Sequence, residues 1–380
     1  MIVQKAKDIR PFIVMEVMEK AAEMEKKGIN VIHLEVGEPD FNVPACVSEA
    51  VENAFKEGRT HYTHSLGDPE LREEICKRYL NKYGITVTPD RIIVTSGSSP
   101  AILLTLGVLC DVGDEVIISD PGYACYQNFI RFLNAKPVKV PVFEEDGFQY
   151  KPIEICRRIT EKTKAIIINS PMNPTGNLLS ADVMKELLKF DIPIISDEIY
   201  HGLVYEGRAH SILEFTDNAF VLNGFSKLFA MTGLRLGYVI APKHCIRPMQ
   251  KLQQNLFICA GSTAQRAGIA ALRSGDEDVA KMKDVYNQRR KYMIERLVHL
   301  GFEIKVPPTG AFYVFVNVKH ISNDSYKLAF DILEKAHIGV TPGVDFGENG
   351  EGFLRFSYAN SIENIKVGLD RLAEYLKILK

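Results

Sequence analysis

Several features that would place a protein in a membrane or on nucleic acid are missing from this sequence. No apolar stretch reaches the roughly 18 residues that a membrane-spanning helix requires. Residues 1–10 carry charges but lack the apolar segment of a secretion signal. The formal net charge is −2, without a basic arm or tail. We therefore expect no membrane segment, no signal peptide and no nucleic-acid partner.

Motifs for disulfides, metals and nucleotides are also missing. The seven cysteines are widely spread, odd in number and without a Cys-x-x-Cys pair, which is typical of reduced thiols in a cytoplasm. His61 and His64 stand three positions apart with no further ligand cluster, so we predict no metal site. Neither a Gly-x-Gly-x-x-Gly fingerprint nor a P-loop occurs, which argues against a dinucleotide or a nucleoside triphosphate as the ligand.

The length of the chain and the order of its apolar runs predict the fold. A chain of 380 residues with 46% hydrophobic and 25% charged residues is typical of a soluble globular protein with two domains. Short, continuously apolar runs recur at helix-length intervals, at 92–95, 115–119, 138–140, 165–168, 193–196, 219–222 and 238–240. Because continuous apolar strands belong to a sheet covered on both faces, we predict an α/β fold with a mostly parallel, seven-stranded sheet.

Both ends of the chain are predicted to form a second, smaller α+β domain. Residues 14–27 have the pattern of a charged amphipathic helix, and a long charged helix is predicted at 276–299. After it, strand and helix patterns alternate to the end of the chain. The predicted ranges are 1–43 for an N-terminal arm with part of the small domain, 44–280 for the large domain, and 281–380 for the small C-terminal domain.

One lysine stands just after an apolar run. Residues 222–229 read Leu-Asn-Gly-Phe-Ser-Lys-Leu-Phe, so that Lys227 follows a turn of small residues, and Arg235 comes eight positions later. Burial and nearby cations lower the pKa of a lysine, which makes its neutral amine available for a Schiff base with an aldehyde. Because a single lysine is more often a solvated surface charge, this hypothesis depends on the motifs around it.

Small hydroxyl residues stand at the predicted start of a helix. Residues 95–99 (Thr-Ser-Gly-Ser-Ser) follow the first strand of the sheet and precede an apolar helix that runs to about Cys110. Free backbone N–H groups, hydroxyls and the positive end of the helix dipole together form an anion site, most naturally for a phosphate. The alternative is that a serine only caps the helix.

Two further strand ends carry polar residues. Residues 169–176 (Asn-Ser-Pro-Met-Asn-Pro-Thr-Gly) follow one predicted strand, although such a sequence is also typical of a proline-stiffened turn. Asp197 and Tyr200 follow the next strand, at the edge of an open α/β sheet where ligands bind. A buried aspartate needs a partner, so we expect Asp197 to face a cation; the alternative is a helix cap.

Taken together, these motifs resemble the fold-type I pyridoxal-phosphate enzymes, specifically the class I aminotransferases related to aspartate aminotransferase. The resemblance runs from residues 37–41 (Gly-Glu-Pro-Asp-Phe) to Arg355, with the motifs in the family's order. One departure is Gly224, where many relatives carry a phosphate-binding serine. The resemblance implies the cofactor pyridoxal 5'-phosphate and transfer of an amino group from an L-amino acid to a 2-oxo acid, with glutamate and 2-oxoglutarate as one pair.

The resemblance also implies roles around the ring of the cofactor. Lys227 would carry the cofactor and then shuttle a proton. Asp197 would pair with the pyridine nitrogen, while Asn173 and Tyr200 would hydrogen-bond the phenolic oxygen. Tyr123 would stack on the ring face, unless it is only a core aromatic.

Further roles concern the phosphate and the substrate. The family pattern assigns the phosphate to Ser98, Ser99, Ser226 and Arg235. It assigns the substrate α-carboxylate to Arg355, Asn173 and the Gly37 N–H. Tyr62 matches a tyrosine that crosses a dimer interface to the neighbour's phosphate, so a homodimer with shared active sites is expected.

Three rival functions differ in what they require. A pyridoxal-phosphate-dependent carbon–sulfur β-lyase would use the same Lys227 and Asp197, and would release pyruvate and ammonia without an oxo-acid acceptor. A DNA-binding regulator on this fold would need an added helix-turn-helix domain, for which the residues before Gly37 are too few. A module that only binds a phosphate ligand is disfavoured because Lys227 and Asp197 are both retained. The preferred amino donor is not determined by these motifs.

Overall fold

A seven-stranded sheet lies at the centre of the computed structural model, which describes residues 2–379. The strands in this part of the chain are β1 (Ile32–His33), β2 (Ile92–Thr95), β3 (Glu115–Asp120), β4 (Lys136–Pro141), β5 (Thr163–Asn169), β6 (Ile194–Asp197), β7 (Ala219–Gly224), β8 (Gly237–Ile240), β9 (Tyr313–Asn317), β10 (Ile338–Gly339), β11 (Thr341–Pro342) and β12 (Phe353–Ser357).

Helices surround the sheets. They are α1 (Gln4–Asp8), α2 (Ile13–Glu25), α3 (Ala45–Lys56), α4 (Pro69–Tyr83), α5 (Ser98–Leu109), α6 (Tyr126–Phe132), α7 (Pro152–Cys156), α8 (Ala181–Leu188), α9 (Lys243–Leu256), α10 (Ser262–Ser274), α11 (Asp276–His299), α12 (Ser325–Ala336) and α13 (Ile362–Leu379). Within residues 2–379, none of them combines the length and apolar character needed to span a bilayer.

The large sheet is mostly parallel, as predicted. Its strand order is β2-β8-β7-β6-β5-β3-β4, and β8 alone runs antiparallel to its two neighbours. Alternate residues of β5 enter two different hydrophobic clusters: Ile166 and Ile168 join one, whereas Ala165 and Ile167 join the other. Because both faces are covered, the middle of such a strand is a continuous apolar run, here residues 165–168. All seven apolar runs of the sequence are strands of this sheet.

The second unit contains residues from both ends of the chain. Strand β1 pairs in parallel with β10, and β9, β11 and β12 form a separate antiparallel sheet. The predicted α+β character is therefore present. The boundaries given above for the domains stay a prediction.

Local signals set the ends of α4. The Asp68 side chain accepts a hydrogen bond from the Glu70 N–H, and Pro69 occupies the first helical position. Gly84 ends the helix in the left-handed conformation, with φ of 73°. An aspartate before a proline and a glycine after a charged stretch are typical of the start and the end of a helix.

Candidate active site

Parallel strands deliver polar residues to one edge of the large sheet. Strands β5 and β6 end in register, with Asn169 opposite Asp197. Strand β7 ends beside them at Gly224, and Lys227 follows three residues later. This edge borders a cavity of about 380 Å³, a volume within the usual range for small-molecule sites.

The cavity brings together nearly all of the residues singled out from the sequence. Those that line it are Gly37, Ser98, Ser99, Tyr123, Asn173, Asp197, Tyr200, Ser226, Lys227, Arg235 and Arg355. Tyr62 is not among them. It is 80% exposed and borders a separate surface depression formed with Phe55 and residues 259–263.

Lys227 is held in the cavity by backbone. Its side chain is half-buried, and the Nζ atom donates a hydrogen bond of 2.6 Å to the Gly37 carbonyl. The pKa of Lys227 is lowered to about 8, mainly by burial. The charge of Glu38 opposes this shift, those of Arg355 and Arg235 support it, and that of Asp197 opposes it. A neutral amine is therefore far more accessible here than on a surface lysine.

Asp197 is buried, and its carboxylate has two neutral donors. The Tyr126 hydroxyl donates to Oδ2 at 2.6 Å, and the Ile199 N–H donates to Oδ1 at 3.1 Å. Burial raises the pKa of Asp197 to about 6, while these two donors and the charge of Lys227 act in the opposite direction. No helix begins at Asp197, since a turn follows β6, so the bond to Ile199 is not a helix cap. Asp197 lies in the wall of the cavity.

Arg355 is a buried cation whose hydrogen bonds reach neutral oxygens. Its guanidinium donates to the Asn173 side-chain oxygen at 2.9 Å, to the Glu35 carbonyl at 2.7 Å and to the Thr341 hydroxyl at 3.2 Å. It also lies over the Tyr313 ring, 4.2 Å from the centroid. A buried charge of this kind is expensive without a counter-ion, so an anion entering the cavity would be attracted to it.

Two tyrosines extend this polar wall. The hydroxyls of Tyr200 and Tyr313 lie 2.8 Å apart. Burial raises the pKa of Tyr200 above its ordinary value, so its hydroxyl stays protonated and remains a donor. Gly37 packs so closely against the Tyr313 hydroxyl that a Cβ atom at this position would overlap it.

The opposite end of the cavity has the features of an anion site. Helix α5 begins at Ser98 without a side-chain cap, which leaves its first N–H groups available. Gly97 precedes it with φ of 93°, and a Cβ atom there would lie 2.5 Å from an Nη atom of Arg235. The guanidinium of Arg235 thus reaches the helix start because position 97 lacks a side chain.

Sequence reasoning missed several residues of the cavity. Asn169 begins the 169–176 motif but received no role, although the rule that parallel strands end at one edge was sufficient to place it beside Asp197. Tyr126 and Tyr313 carry no comparable signal, because their contacts join distant parts of the chain. The same holds for a group of apolar residues from the start of α2 and just before it, namely Phe12, Val14, Met15 and Met18.

Comparisons with known proteins agree on one family. The family model for aminotransferases of class I and II matches residues 29–372. The (5-formylfuran-3-yl)methyl phosphate transaminase of Methanocaldococcus jannaschii is 44% identical, with 99% of this chain and 100% of the relative covered. The aspartate aminotransferase of Pyrococcus horikoshii is 40% identical over 96% of this chain and 94% of the relative.

The solved structures lead to the same group. A Methanococcus jannaschii protein, described as similar in its active site to kynurenine aminotransferases, matches with a TM-score of 0.92. It is 42% identical in sequence, and the match covers 99% of this chain and 100% of that one. The similarity therefore extends over the whole of both chains.

Proposed function

The chain belongs to the aminotransferases of class I and II, and we propose that it transfers an amino group between an L-amino acid and a 2-oxo acid, with glutamate and 2-oxoglutarate as one pair. The observation that carries this proposal is the amine of Lys227, which has a lowered pKa and shares one cavity with Asp197 and Arg355. The glutamate pair itself is supported only by the resemblance to aspartate aminotransferases.

Enzymes of this family depend on pyridoxal 5'-phosphate, and so does this chain. Its cavity fits that cofactor, because the space left by Gly97 brings Arg235 to the uncapped start of α5. We assign the phosphate group to this end, with Ser98, Ser99 and Ser226 as further donors. When bound, the cofactor supplies an electron-withdrawing ring that stabilises negative charge at the reacting carbon.

Other residues would hold the ring. Asp197, ionised at pH 7 with its pKa of about 6, would pair with the protonated ring nitrogen. Tyr200 and Asn173 would contact the phenolic oxygen as hydrogen-bond donors. Tyr123 would pack on one face, which is consistent with its place in the cavity wall.

The protein's own part in the reaction would be divided between Lys227 and Arg355. Arg355 and the Gly37 N–H would bind the substrate α-carboxylate and orient the Cα–H bond. The Lys227 Nζ atom, adjacent to Gly37, would take the proton from Cα and return it in the reverse direction. The wall of tyrosines would limit the access of water to this proton.

A product assay tests the proposal. Cofactor-loaded protein is mixed with single L-amino acids, and the 2-oxo acid formed is counted per site. Transamination gives one equivalent without an acceptor and many after 2-oxoglutarate is added. Lys227→Ala is the control and should give none. Continuous release of pyruvate and ammonia without an acceptor would instead establish the β-lyase reaction, and no product from any amino acid would contradict both.

We also propose a homodimer with shared sites and a cytoplasmic location. The exposed Tyr62 lies outside the cavity of its own chain. In a dimer, its side chain would be free to contact the site of the second subunit. The seven cysteines are free thiols, and this is typical of a reducing compartment.

A further inference from the structure

The start of α2 is capped by a residue from the far end of the chain. No side chain near its own N-terminus provides a cap. Instead, the Asp345 carboxylate accepts hydrogen bonds from the first two helical N–H groups, those of Ile13 at 3.0 Å and Val14 at 3.3 Å. Asp345 is buried, and its pKa of about 6 leaves it ionised at pH 7. A carboxylate at this position satisfies free N–H groups and matches the helix dipole.

The helix that Asp345 holds forms an apolar wall of the cavity. Phe12, Met15 and Met18 line the same space as Arg355 and Lys227. The Phe12 ring also meets the ring of Tyr123 edge-on, with 6.2 Å between the centroids. The first turn of α2 therefore faces the place where a substrate side chain would lie.

The segment that contains Asp345 also contacts Arg355. The Thr341 hydroxyl accepts a hydrogen bond from the guanidinium, and the Phe346 ring lies 4.9 Å from it. Residues 341–346 thus contact the carboxylate-binding arginine on one side and the start of α2 on the other. This connection fixes the distance between a bound carboxylate and the apolar wall.

We propose that Asp345 is a positioning residue that holds the first turn of α2 at a set distance from Arg355, so that Phe12, Met15 and Met18 select substrates with a large apolar side chain. The inference rests on the proposed function, because it takes Arg355 as the group that binds the substrate α-carboxylate. It goes further in naming the class of side chain and the residue that places the wall.

Binding of carboxylates without an amino group tests this directly, since no turnover is involved. The dissociation constants of 3-phenylpropionate and propionate are measured by calorimetry on cofactor-loaded protein. We expect wild type to bind the phenyl compound about tenfold more tightly or better, because the ring is buried against the wall. Met18→Ala should reduce that ratio while the affinity for propionate stays unchanged.

Two variants weaken the hydrogen bonds between Asp345 and the start of α2, one by changing the acceptor and the other by removing a donor. We call them the anchor variants. Asp345→Asn keeps the volume of the side chain but can accept from only one of the two N–H groups. Ile13→Pro removes one of the two N–H donors at the first helical position, where proline is tolerated. This variant keeps the inference testable if Asp345→Asn does not fold. Both should lower the preference for 3-phenylpropionate over propionate severalfold. The charge of Asp345 also acts on Arg355, so Asp345→Asn changes the affinity for both carboxylates together, and this effect cancels in the ratio. The matched control is Asp324→Asn, which retains a good cap at the start of α12 and should keep the wild-type ratio.

The possible outcomes separate this inference from the proposed function. Three results would each overturn the role of Asp345. They are equally weakened binding of both ligands in the anchor variants, an unchanged ratio of the two dissociation constants in these variants, and no preference of the wild type for 3-phenylpropionate. If wild type makes no 2-oxo acid from any amino acid but the binding ratios behave as expected, the positioning role stands and transamination fails. If transamination occurs but the ratio of dissociation constants stays unchanged on substitution of Asp345 and Ile13, only the positioning role fails.

Discussion

Charged side chains in the cavity are held away from water, and this determines how they titrate. Burial moves the pKa of Asp197 up to about 6 and that of Lys227 down to about 8. In the cofactor-free protein at pH 7, the carboxylate is therefore mostly ionised and the amine mostly protonated. Small changes in nearby charge will have a large effect on the fraction of neutral Lys227.

The first prediction concerns the pH dependence of Lys227. The rate of covalent attachment of pyridoxal 5'-phosphate to cofactor-free protein should rise with pH and level off above about pH 8, since the neutral amine is the reactive form. Glu38→Gln should move the midpoint to lower pH, because the charge of Glu38 raises the pKa of Lys227. Absorbance measurements from about pH 6 to about pH 10 follow the reaction. The role of Lys227 would be contradicted if the attachment rate had a midpoint near the pKa of a free lysine. It would also be contradicted if Glu38→Gln left the midpoint unchanged.

A second prediction at this scale concerns Arg355. Arg355→Lys keeps the charge but loses the planar fork, so KM should rise about tenfold to a hundredfold for all amino and oxo acids, equivalent to roughly 1.5–3 kcal/mol. Arg91→Lys is the matched control. Arg91 is also buried and bonded to the Ala241 carbonyl and Asp217, but it lies outside the cavity, so KM should not change. A reordering of side-chain preference with some substrates unaffected would place Arg355 in the side-chain pocket instead.

At the scale of secondary-structure elements, the important feature is the start of α5. The helix presents its free N–H groups to the cavity, and Gly97 lets Arg235 approach them. Strand β8 also lies close, since a Cβ atom at Gly237 would be 2.6 Å from the Gly97 carbonyl carbon. Side chains at these two positions would separate the start of α5 from Arg235, the two parts of the proposed anion site.

The third prediction tests this element with Gly97→Ala. The added Cβ atom would displace Arg235, so the dissociation constant of pyridoxal 5'-phosphate should rise at least about tenfold if one charged contact is lost. Gly84→Ala is the control, because Gly84 also has positive φ but open space around its Cβ position. Both variants should lose about 1 kcal/mol or more of stability from backbone strain, measured by denaturant unfolding. Equal cofactor affinity in the two variants would remove Arg235 from the phosphate site.

At the scale of the whole molecule, the cavity joins the two units of the chain. Asp197 ends β6 of the large sheet and Lys227 follows its strand β7, whereas Arg355 lies in β12 of the smaller sheet. Gly37, which follows β1, bonds to Lys227 across this junction. Of the residues assigned to the site from the sequence, Tyr62 alone lies outside this cavity, at the surface.

The fourth prediction is that Tyr62 acts in the partner's site. Tyr62→Ala and Lys227→Ala chains are each impaired alone, but a mixture that exchanges subunits should regain activity. The heterodimer would have one sound site, with Lys227 from the first chain and Tyr62 from the second. As a control, Tyr62→Ala mixed with the Lys227→Ala/Tyr62→Ala double variant should show no recovery. No recovery in the first mixture, or a monomer in sedimentation at assay concentrations, would contradict shared sites.

Local signals were sufficient for much of the fold. The apolar runs identified all seven strands of the large sheet, because strands buried on both faces are apolar at consecutive rather than alternate positions. Asp68 and Gly84 marked the ends of α4, since caps act on the nearest backbone groups. Polar residues after strands, such as Asp197, could be placed at one edge because parallel strands end together.

Other features were decided only by the tertiary structure. The sequence predicted that Asp197 faces a cation, and the charge of Lys227 does act on it. Its hydrogen bonds, which the sequence did not indicate, come from the Tyr126 hydroxyl and a backbone N–H. Nothing near residue 345 in the sequence indicates that Asp345 caps α2, which begins more than 300 residues earlier. Propensity, periodicity and capping act over a few residues, and so the sequence by itself determined the elements and the strand-end residues. Contacts between distant segments depend on how the elements pack, and packing alone decided which tyrosines, which cap and which apolar wall surround Lys227, Asp197 and Arg355.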